Sequence, residues 1–293
     1  VARTIFGEKY ACVLCMLFLV DGVLAFSNSE RGCVMAVFSH GIPLKKRFGQ
    51  HFLRQDSIVY AMLSHVHLEN ASILEIGPGD GFLTRYILQH PVTRLWAFEI
   101  DVDWVDHLRK SIKDPRFTIF EENILDVDFS RFQEYSPWLL LANLPYQITF
   151  PILHMIYKHR DLIPEGVIMI QEEVAQKLVK TSGRGYGFPS LFFNYYFEIK
   201  LLTKVPPTAF HPAPKIFSRL VYFKAKVTVE PIPDEENFWK FIKMCFHQPR
   251  RMLRNNLIQS QYNLDNIPAE QLVLRAQQLT LQDLLKLWDL VRK

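Results

Sequence analysis

Cysteine is scarce. The 293 residues carry four, at positions 12, 15, 33 and 245, too few and too scattered for the disulfide framework of a small secreted domain. Cys12 and Cys15 form a C-x-x-C, but no second pair follows and the flanks are apolar, which argues against zinc. His65, His67, His90, His107 and His154 also lack the spacing of metal ligands, so no metal is expected. Internal repeats and low-complexity tracts are absent. Hydrophobic residues make up 49% and charged residues 22%, which excludes a disordered chain and suits a folded one with a sizeable core. An unbroken membrane span is missing too. The apolar stretch YACVLCMLFLVDGVLAFS (10–27) follows Arg3 and Lys9 and is interrupted by Asp21 and Gly22, which leaves too short a run to cross a bilayer. It reads as a signal-peptide core, as part of a targeting segment, or as sequence upstream of a start at Met35. Residues 1–40 are expected to be a dispensable extension. A reducing, cytoplasmic setting fits best, with an organellar one left open by that extension.

The formal net charge is only +4, but it is unevenly spread. From Lys204 onward there are 14 Lys and Arg against 8 Asp and Glu, and the rest of the chain carries 20 against 22. A mildly acidic body with a basic C-terminal part suits an anionic polymer as partner; a basic soluble surface is the plain alternative.

From about residue 57 helix and strand patterns alternate. Helices are expected over 57–67, 82–90, 103–113 (Val105 and Leu108 inward), 149–159 and 172–180. Strands are expected over 72–77, 94–101, 116–123, 138–143 and 165–171, with two closing strands at 198–205 and 216–224. Continuous apolar strands separated by helices predict an α/β fold with a parallel sheet covered on both faces. Phe192, Phe193, Tyr195 and Tyr196 are expected in the core. TVEPIPDEEN (227–236) reads as a linker, and after it short helices follow without strands, over 235–247, 250–261, 268–276 and 280–291. The expected division is an extension (1–40), an α/β domain (41–228) and a helical domain (229–293).

ILEIGPGDGFLTRYIL (73–88) is a strand, a glycine turn and a helix start. Gly77, Gly79 and Gly81 allow a sharp turn and close approach of a ligand. A dinucleotide fingerprint would read G-x-G-x-x-G; here it is G-P-G-D-G, and Pro78 has no N–H to offer a phosphate. The next strand ends in Glu99 and Asp101, about 20 residues past the turn, where a carboxylate accepts ribose hydroxyls. Adenosine without a diphosphate points to S-adenosylmethionine.

LLLANLPYQITFPIL (139–153) places Asn143-Leu144-Pro145-Tyr146 at the end of a buried strand, where open α/β sheets bind ligands. An exocyclic amine is a poor nucleophile because its lone pair is delocalised into the ring. Acceptors that draw its N–H hydrogens out of plane localise that pair. The Asn143 side-chain oxygen and a backbone carbonyl beside Pro145 suit that task, and Tyr146 offers a face for a flipped base.

These motifs, in order, resemble the ribosomal RNA adenine dimethyltransferase family of the KsgA type. The resemblance runs from about Lys45 to the C-terminus: KKRFGQHFL (45–53), EIGPGDGFLT, FEID, NLPY, MIQEEVAQKLV (169–179), GYGFPSL (185–191), VPPTAFHPAPKIFS (205–218) and FHQPRRMLRNNL (246–257). It implies a Rossmann-like class I methyltransferase sheet, the catalytic part, with a small helical C-terminal domain, the RNA-binding part. It implies cofactor contacts from His51, Leu53, Gly77, Gly79, Glu99, Asn123 and Asn143. It implies base contacts from Asn143, Leu144, Pro145 and Tyr146, with stacking by Phe210. The implied product is N6,N6-dimethyladenosine on two adjacent adenosines near the 3′ end of small-subunit rRNA, made by a monomer acting on a pre-ribosomal particle. Two departures stand out. Asn123 occupies a position where the family usually has Asp, with Asp126 one turn on as a candidate compensation, and Gln248-Pro249-Arg250-Arg251 replaces the usual Q-R-R-K.

On the RNA side, Arg250, Arg251 and Arg254 are spaced so that Arg250 and Arg254 share a face of the helix expected there, a geometry suited to phosphates. Lys45, Lys46 and Arg47 are candidates to extend the track. TSGRGYG (181–187) is either a substrate lid or a long connection. Two other functions share these motifs: Erm-type methylation of a large-subunit rRNA adenine, and a non-catalytic RNA-binding assembly or transcription factor on the same fold.

Overall fold

The computed structural model describes residues 24–29, 32–45 and 48–292. Cys12, Cys15 and most of the 10–27 stretch lie outside the described residues, as do Lys46 and Arg47. Near the N-terminus, β1 (Leu24–Ser29), β2 (Gly32–Ser39) and β3 (Ile42–Pro43) form a small antiparallel sheet. Part of the segment expected to be dispensable therefore has regular structure. The chain then passes through β4 (Phe52–Leu53) and helix α1 (Asp56–Leu63).

The main sheet has seven strands. Five are parallel: β5 (Ser72–Ile76), β6 (Arg94–Glu99), β7 (Phe117–Glu121), β8 (Trp138–Asn143) and β9 (Glu165–Gln171). The connecting helices are α2 (Phe82–Ile87), α3 (Val102–Ser111), α4 (Thr149–Lys158) and α5 (Glu172–Leu178). A further helix, α6 (Phe188–Tyr196), leads into β10 (Phe197–Val205); then β11 (Phe210–His211) and β12 (Ser218–Ala225) follow. The strand order is β10-β12-β9-β8-β5-β6-β7, with β12 antiparallel to both β9 and β10. The chain winds outward from β5 to β7 and then returns to start β8 on the other side of β5. That reversal opens a crevice at the carboxyl ends of β5 and β8, the position where sheets of this kind take ligands.

Period-two alternation divides the sheet residues between two cores. Leu74, Ile76, Leu140, Ala142, Ile168 and Ile170 face one cluster; Ile73, Leu139, Leu141, Val167 and Met169 face the other. Both faces are covered, which is why β8 and β9 read as unbroken apolar runs rather than alternating ones. Val105 and Leu108 are buried on α3 as expected.

The C-terminal part is helical: α7 (Glu235–Cys245), α8 (Leu253–Leu257), α9 (Ala269–Leu272) and α10 (Leu281–Val291). It does not have a core of its own. Phe192, Tyr195 and Tyr196 of α6 pack on Trp239 of α7, and the Trp239 indole N–H donates to the Tyr196 hydroxyl at 2.7 Å. One apolar cluster runs from the sheet through α6 to Trp288. The glycine-rich 181–187 stretch is a connection tied to this part: Gly183 N–H donates to the Gln277 carbonyl at 3.2 Å, and buried Tyr186 packs against Phe246.

Candidate active site

The glycine turn after β5 is closed upon itself. The Gly77 N–H donates to the Phe98 carbonyl at 2.9 Å and the Gly81 N–H to the Pro78 carbonyl at 2.9 Å. The Gly79 N–H donates to the Glu99 carboxylate at 3.2 Å. With Pro78 lacking an N–H, the loop is no cradle for phosphate oxygens. Gly79 has φ +56°, and a Cβ there would lie 2.5 Å from the Phe52 ring. Glycine is thus required both by the turn and by the aromatic ring packed over it.

Glu99 is buried at the end of β6, and its carboxylate also accepts from the backbone N–H groups of Ile100 (2.9 Å) and Asp101 (3.0 Å). Three donors leave part of its acceptor capacity for a ligand hydroxyl. Burial raises its pKa, opposed by those N–H groups. Asp101 behaves differently. It caps α3, accepts from Gln50 at 2.8 Å, and is ion-paired with Lys45, which also reaches Asp103 at 2.7 Å. Of the two acids at this strand end, only Glu99 lines the crevice. Lys45 is correspondingly committed: its hydrogen bonds to Asp101 and Asp103 raise its pKa. Lys45, a cation placed by the sequence on an RNA track, is thus tied to the same carboxylate as Gln50.

Asn143 ends β8. Its Nδ2 donates to the His51 carbonyl at 3.1 Å, which leaves Oδ1 as the acceptor the side chain can present. The His51 Nδ1 sits 2.7 Å from the Pro212 carbonyl; a carbonyl only accepts, so Nδ1 carries the proton. The Pro145 carbonyl accepts from the Ile148 N–H at 3.1 Å. The backbone acceptor beside Pro145 that this turn does not use is therefore the Leu144 carbonyl. The Leu144 side chain itself is buried in the core. Tyr146 shares a 2.6 Å hydrogen bond with the buried Ser218 hydroxyl, and burial raises the pKa of its phenol.

The resulting cleft measures about 980 Å³ including its mouth and is lined by Gly77, Gly79, Glu99, Asn123, Asn143, Leu144, Pro145, Tyr146 and Phe210, with His51 and Phe52 as its roof. Leu53 does not line it: the side chain points into the core beneath while β4 pairs with β11, Phe210 opposite Leu53. Phe52, its neighbour, holds the lining position. Asn123 faces the cleft, but its Oδ1 accepts from the Leu125 N–H at 3.2 Å and its Nδ2 donates to Asp126 at 2.7 Å. Asp126 thus braces Asn123. Among the described residues that line the cleft, Glu122 and Glu99 are the only formally charged ones, and Glu122 is paired with Arg131 at 2.9 Å. An acidic, cation-free wall suits a positively charged sulfonium and disfavours a diphosphate.

The residues that sequence reasoning missed, Phe48, Gln50, Phe52 and Ser218, act across gaps in the chain. Ser218 closes the 205–218 motif, but only its approach to Tyr146 gives it a purpose.

Arg250, Arg251 and Arg254 are all exposed. The helix starts only at Leu253, however, so Arg250 and Arg251 precede it in a turn and the expected shared helical face does not form. Pro249 sits in that turn, before the helix rather than at its start. Among the described residues no His, Cys, Asp and Glu are grouped to hold a metal ion, and no helix is long and apolar enough to cross a membrane.

The switch-point cleft on a sheet of this order defines a class I methyltransferase fold, with S-adenosylmethionine as its cofactor. The sequence matches the family described as ribosomal RNA adenine dimethylase over residues 42–287, and the chain belongs to that family. It is 38% identical over 226 residues to the ribosomal RNA small subunit methyltransferase A of Mycoplasma mobile, covering 77% of this chain and 87% of that one. It is 32% identical over 253 residues to the protein of the same name from Chlorobium phaeobacteroides, covering 86% and 92%. Among solved structures it is similar to a dimethyladenosine transferase from Plasmodium falciparum (TM-score 0.67, 19% identity, 81% of this chain and 96% of that one). It is also similar to the 23S rRNA methyltransferase ErmE (TM-score 0.62, 21% identity, 83% and 100%). These two likenesses speak to the fold.

Proposed function

We propose that this protein dimethylates N6 of two adjacent adenosines near the 3′ end of small-subunit rRNA, acting as a monomer on a pre-ribosomal particle in the cytoplasm. The observation that carries this reading is the Asn143 amide. Its Nδ2 is spent on the His51 carbonyl, so its oxygen is free for the two-hydrogen donor of an adenine.

In this reading the cofactor supplies a methyl group on a cationic sulfur, held beside Gly77 and Gly79 with Glu99 on the ribose hydroxyls and Asn123 at the adenine. His51 closes the cleft from above, and Leu53 helps by holding β4 in place. The target base enters by the mouth and stacks between Tyr146 and Phe210. Asn143 Oδ1 and the Leu144 carbonyl accept the two N6 hydrogens, and Pro145 keeps that carbonyl in position. The nitrogen lone pair is thereby localised toward the methyl carbon. A cofactor held there would supply its methyl group to that lone pair and would keep the sulfur–carbon electron pair on its sulfur. The resulting N6 cation is strongly acidic and releases its proton through the mouth. Positioning supplies most of the rate, so no strong base is required.

The helical part from residue 229 onward is the RNA-binding unit in this reading, with Arg250, Arg251 and Arg254 on phosphates. Primer extension across both rRNAs of a strain lacking the protein, with and without the restored gene, tests the assignment. Restored stops at two adjacent small-subunit adenosines are expected. Stops confined to the large subunit would replace it with the Erm-type reaction.

A further inference from the structure

Next to the cleft lies an exposed apolar pair that the reaction above does not use. Ile216 is 43% and Phe217 45% exposed, in the segment just before β12. Exposure of this kind is common on a protein surface; here its place beside the site and its neighbours give it meaning. Three observations say which ligand. The first is continuity with the catalytic mouth. Ser218, the next residue, bonds the Tyr146 hydroxyl at 2.6 Å, and the Phe217 carbonyl accepts from the Glu172 N–H at 3.0 Å, fixing the backbone at the end of β9. The second is charge. The Lys204 ammonium lies 4.4 Å from the centre of the Phe217 ring, and Lys215 is exposed two residues before it. The nearby carboxylate, Glu172, is already held by Arg219 at 2.6 Å and 2.8 Å. The cluster of Lys204, Lys215, Arg219 and Glu172 is therefore net positive. The third is a second exposed ring in the segment that follows Tyr146. Phe150, 45% exposed, follows Thr149, whose hydroxyl donates to the Tyr146 carbonyl at 3.2 Å.

An aromatic face beside cations is the arrangement that binds single-stranded nucleic acid: the ring takes a base and the cation takes a phosphate. When one adenosine is turned into the cleft, its neighbour is left without a stacking partner on that side. We propose that Phe217, with Lys204, is the stacking seat for the nucleotide adjoining the flipped adenosine. Lys204 lies over the ring, close enough to meet the phosphate of a base seated there. The inference rests on the reading of the site as an RNA methylation site, and it adds a residue outside the cleft that sets affinity for the RNA strand.

The test uses the full chain and an RNA oligonucleotide with two adjacent adenosines in a loop, 2-aminopurine replacing the nucleotide on one flank or the other. Wild-type protein should quench the probe at one flank. Phe217→Ala should abolish that quench and weaken binding about 5- to 150-fold, the range expected for removing one base–aromatic stack, while Phe217→Trp should retain both. Lys204→Gln should keep the quench and lower the slope of log affinity against log salt by about 0.7, one phosphate on a single strand. On immature small subunits, the Phe217→Ala defect should appear in KM. No quench at either flank with wild-type protein, or the same quench and affinity with Phe217→Ala, would overturn the proposal and leave the pair as a patch for a protein partner. A Phe217-dependent quench without any methyl transfer by wild-type protein would uphold the seat and remove the catalytic reading instead.

Discussion

Asn143 donates to the His51 carbonyl at 3.1 Å, across 92 residues of chain. This bond ties the end of β8 to the segment that roofs the cleft. It also decides which end of the amide the substrate meets, because the nitrogen is occupied and the oxygen is left to accept.

Asn143→Ala removes both functions. Transfer should fall on the order of 10²–10³-fold in single-turnover rate, comparable with loss of one transition-state hydrogen-bonding group elsewhere. Affinity for RNA should stay within about threefold, since the phosphate contacts lie elsewhere. Equal losses in rate and RNA affinity, measured by quench-flow and anisotropy, would make the residue structural.

Glu99→Gln tests the cofactor side. The carboxylate accepts three backbone N–H groups, and an amide would turn an NH₂ toward at least one of them. Cofactor affinity should drop about 10- to 100-fold, as expected for loss of a charged acceptor. Isothermal titration reads this directly, and an unchanged affinity would remove Glu99 from the ribose position.

Glu75 lies beneath the glycine loop, fully buried, and accepts from the Thr84 hydroxyl at 2.7 Å. Burial pushes its pKa from 4.5 up to about 8, against the opposing Thr84 bond. The folded state therefore keeps a proton that the unfolded chain releases above about pH 4.5. Stability from this group is fully present below that pH and is lost progressively as pH rises through about 8. Glu75→Gln should flatten that decline. Denaturant titrations from mildly acidic to mildly alkaline pH check it; parallel curves for the two proteins would show that Glu75 ionises freely when folded.

Arg250→Ala with Arg254→Ala should weaken RNA binding and lower the salt slope by about 0.7 to 0.9 for each phosphate no longer neutralised. Because Arg250 precedes α8 rather than lying on it, each single change should contribute separately. An unchanged slope would exclude this turn from the interface.

The main sheet was legible because β5, β8 and β9 are buried on both faces and therefore unbroken in apolar character. The cleft was legible where its residues sit at strand ends, at Gly77, Glu99 and Asn143. Helix α6 was not, since Phe188–Tyr196 is short, rich in aromatic residues and carries Pro189 at its second position, signals that suit a strand or a turn as readily as a helix. Helix α8 is five residues long, too short for a periodicity argument to set its start, and so the shared face of Arg250 and Arg254 was misplaced. Lys45 could not be read because its partner Asp101 is 56 residues away, with Asp103 further still. The same holds for Ser218, whose contact with Tyr146 spans 72 residues. Leu53 and Phe52 differ only in which face of a two-residue strand they occupy, a distinction set by the pairing of β4 with β11.

The measurement that bears most directly on the whole account is nucleoside analysis of small subunits from a strain lacking the protein, after incubation with the purified chain and S-adenosylmethionine labelled in its methyl group. The account predicts label in N6,N6-dimethyladenosine from two adjacent positions of the small-subunit rRNA, and an initial rate of labelling lower on the order of 10²–10³-fold when Asn143→Ala replaces the wild type. Label in another nucleoside, or equal labelling by the variant, would contradict it.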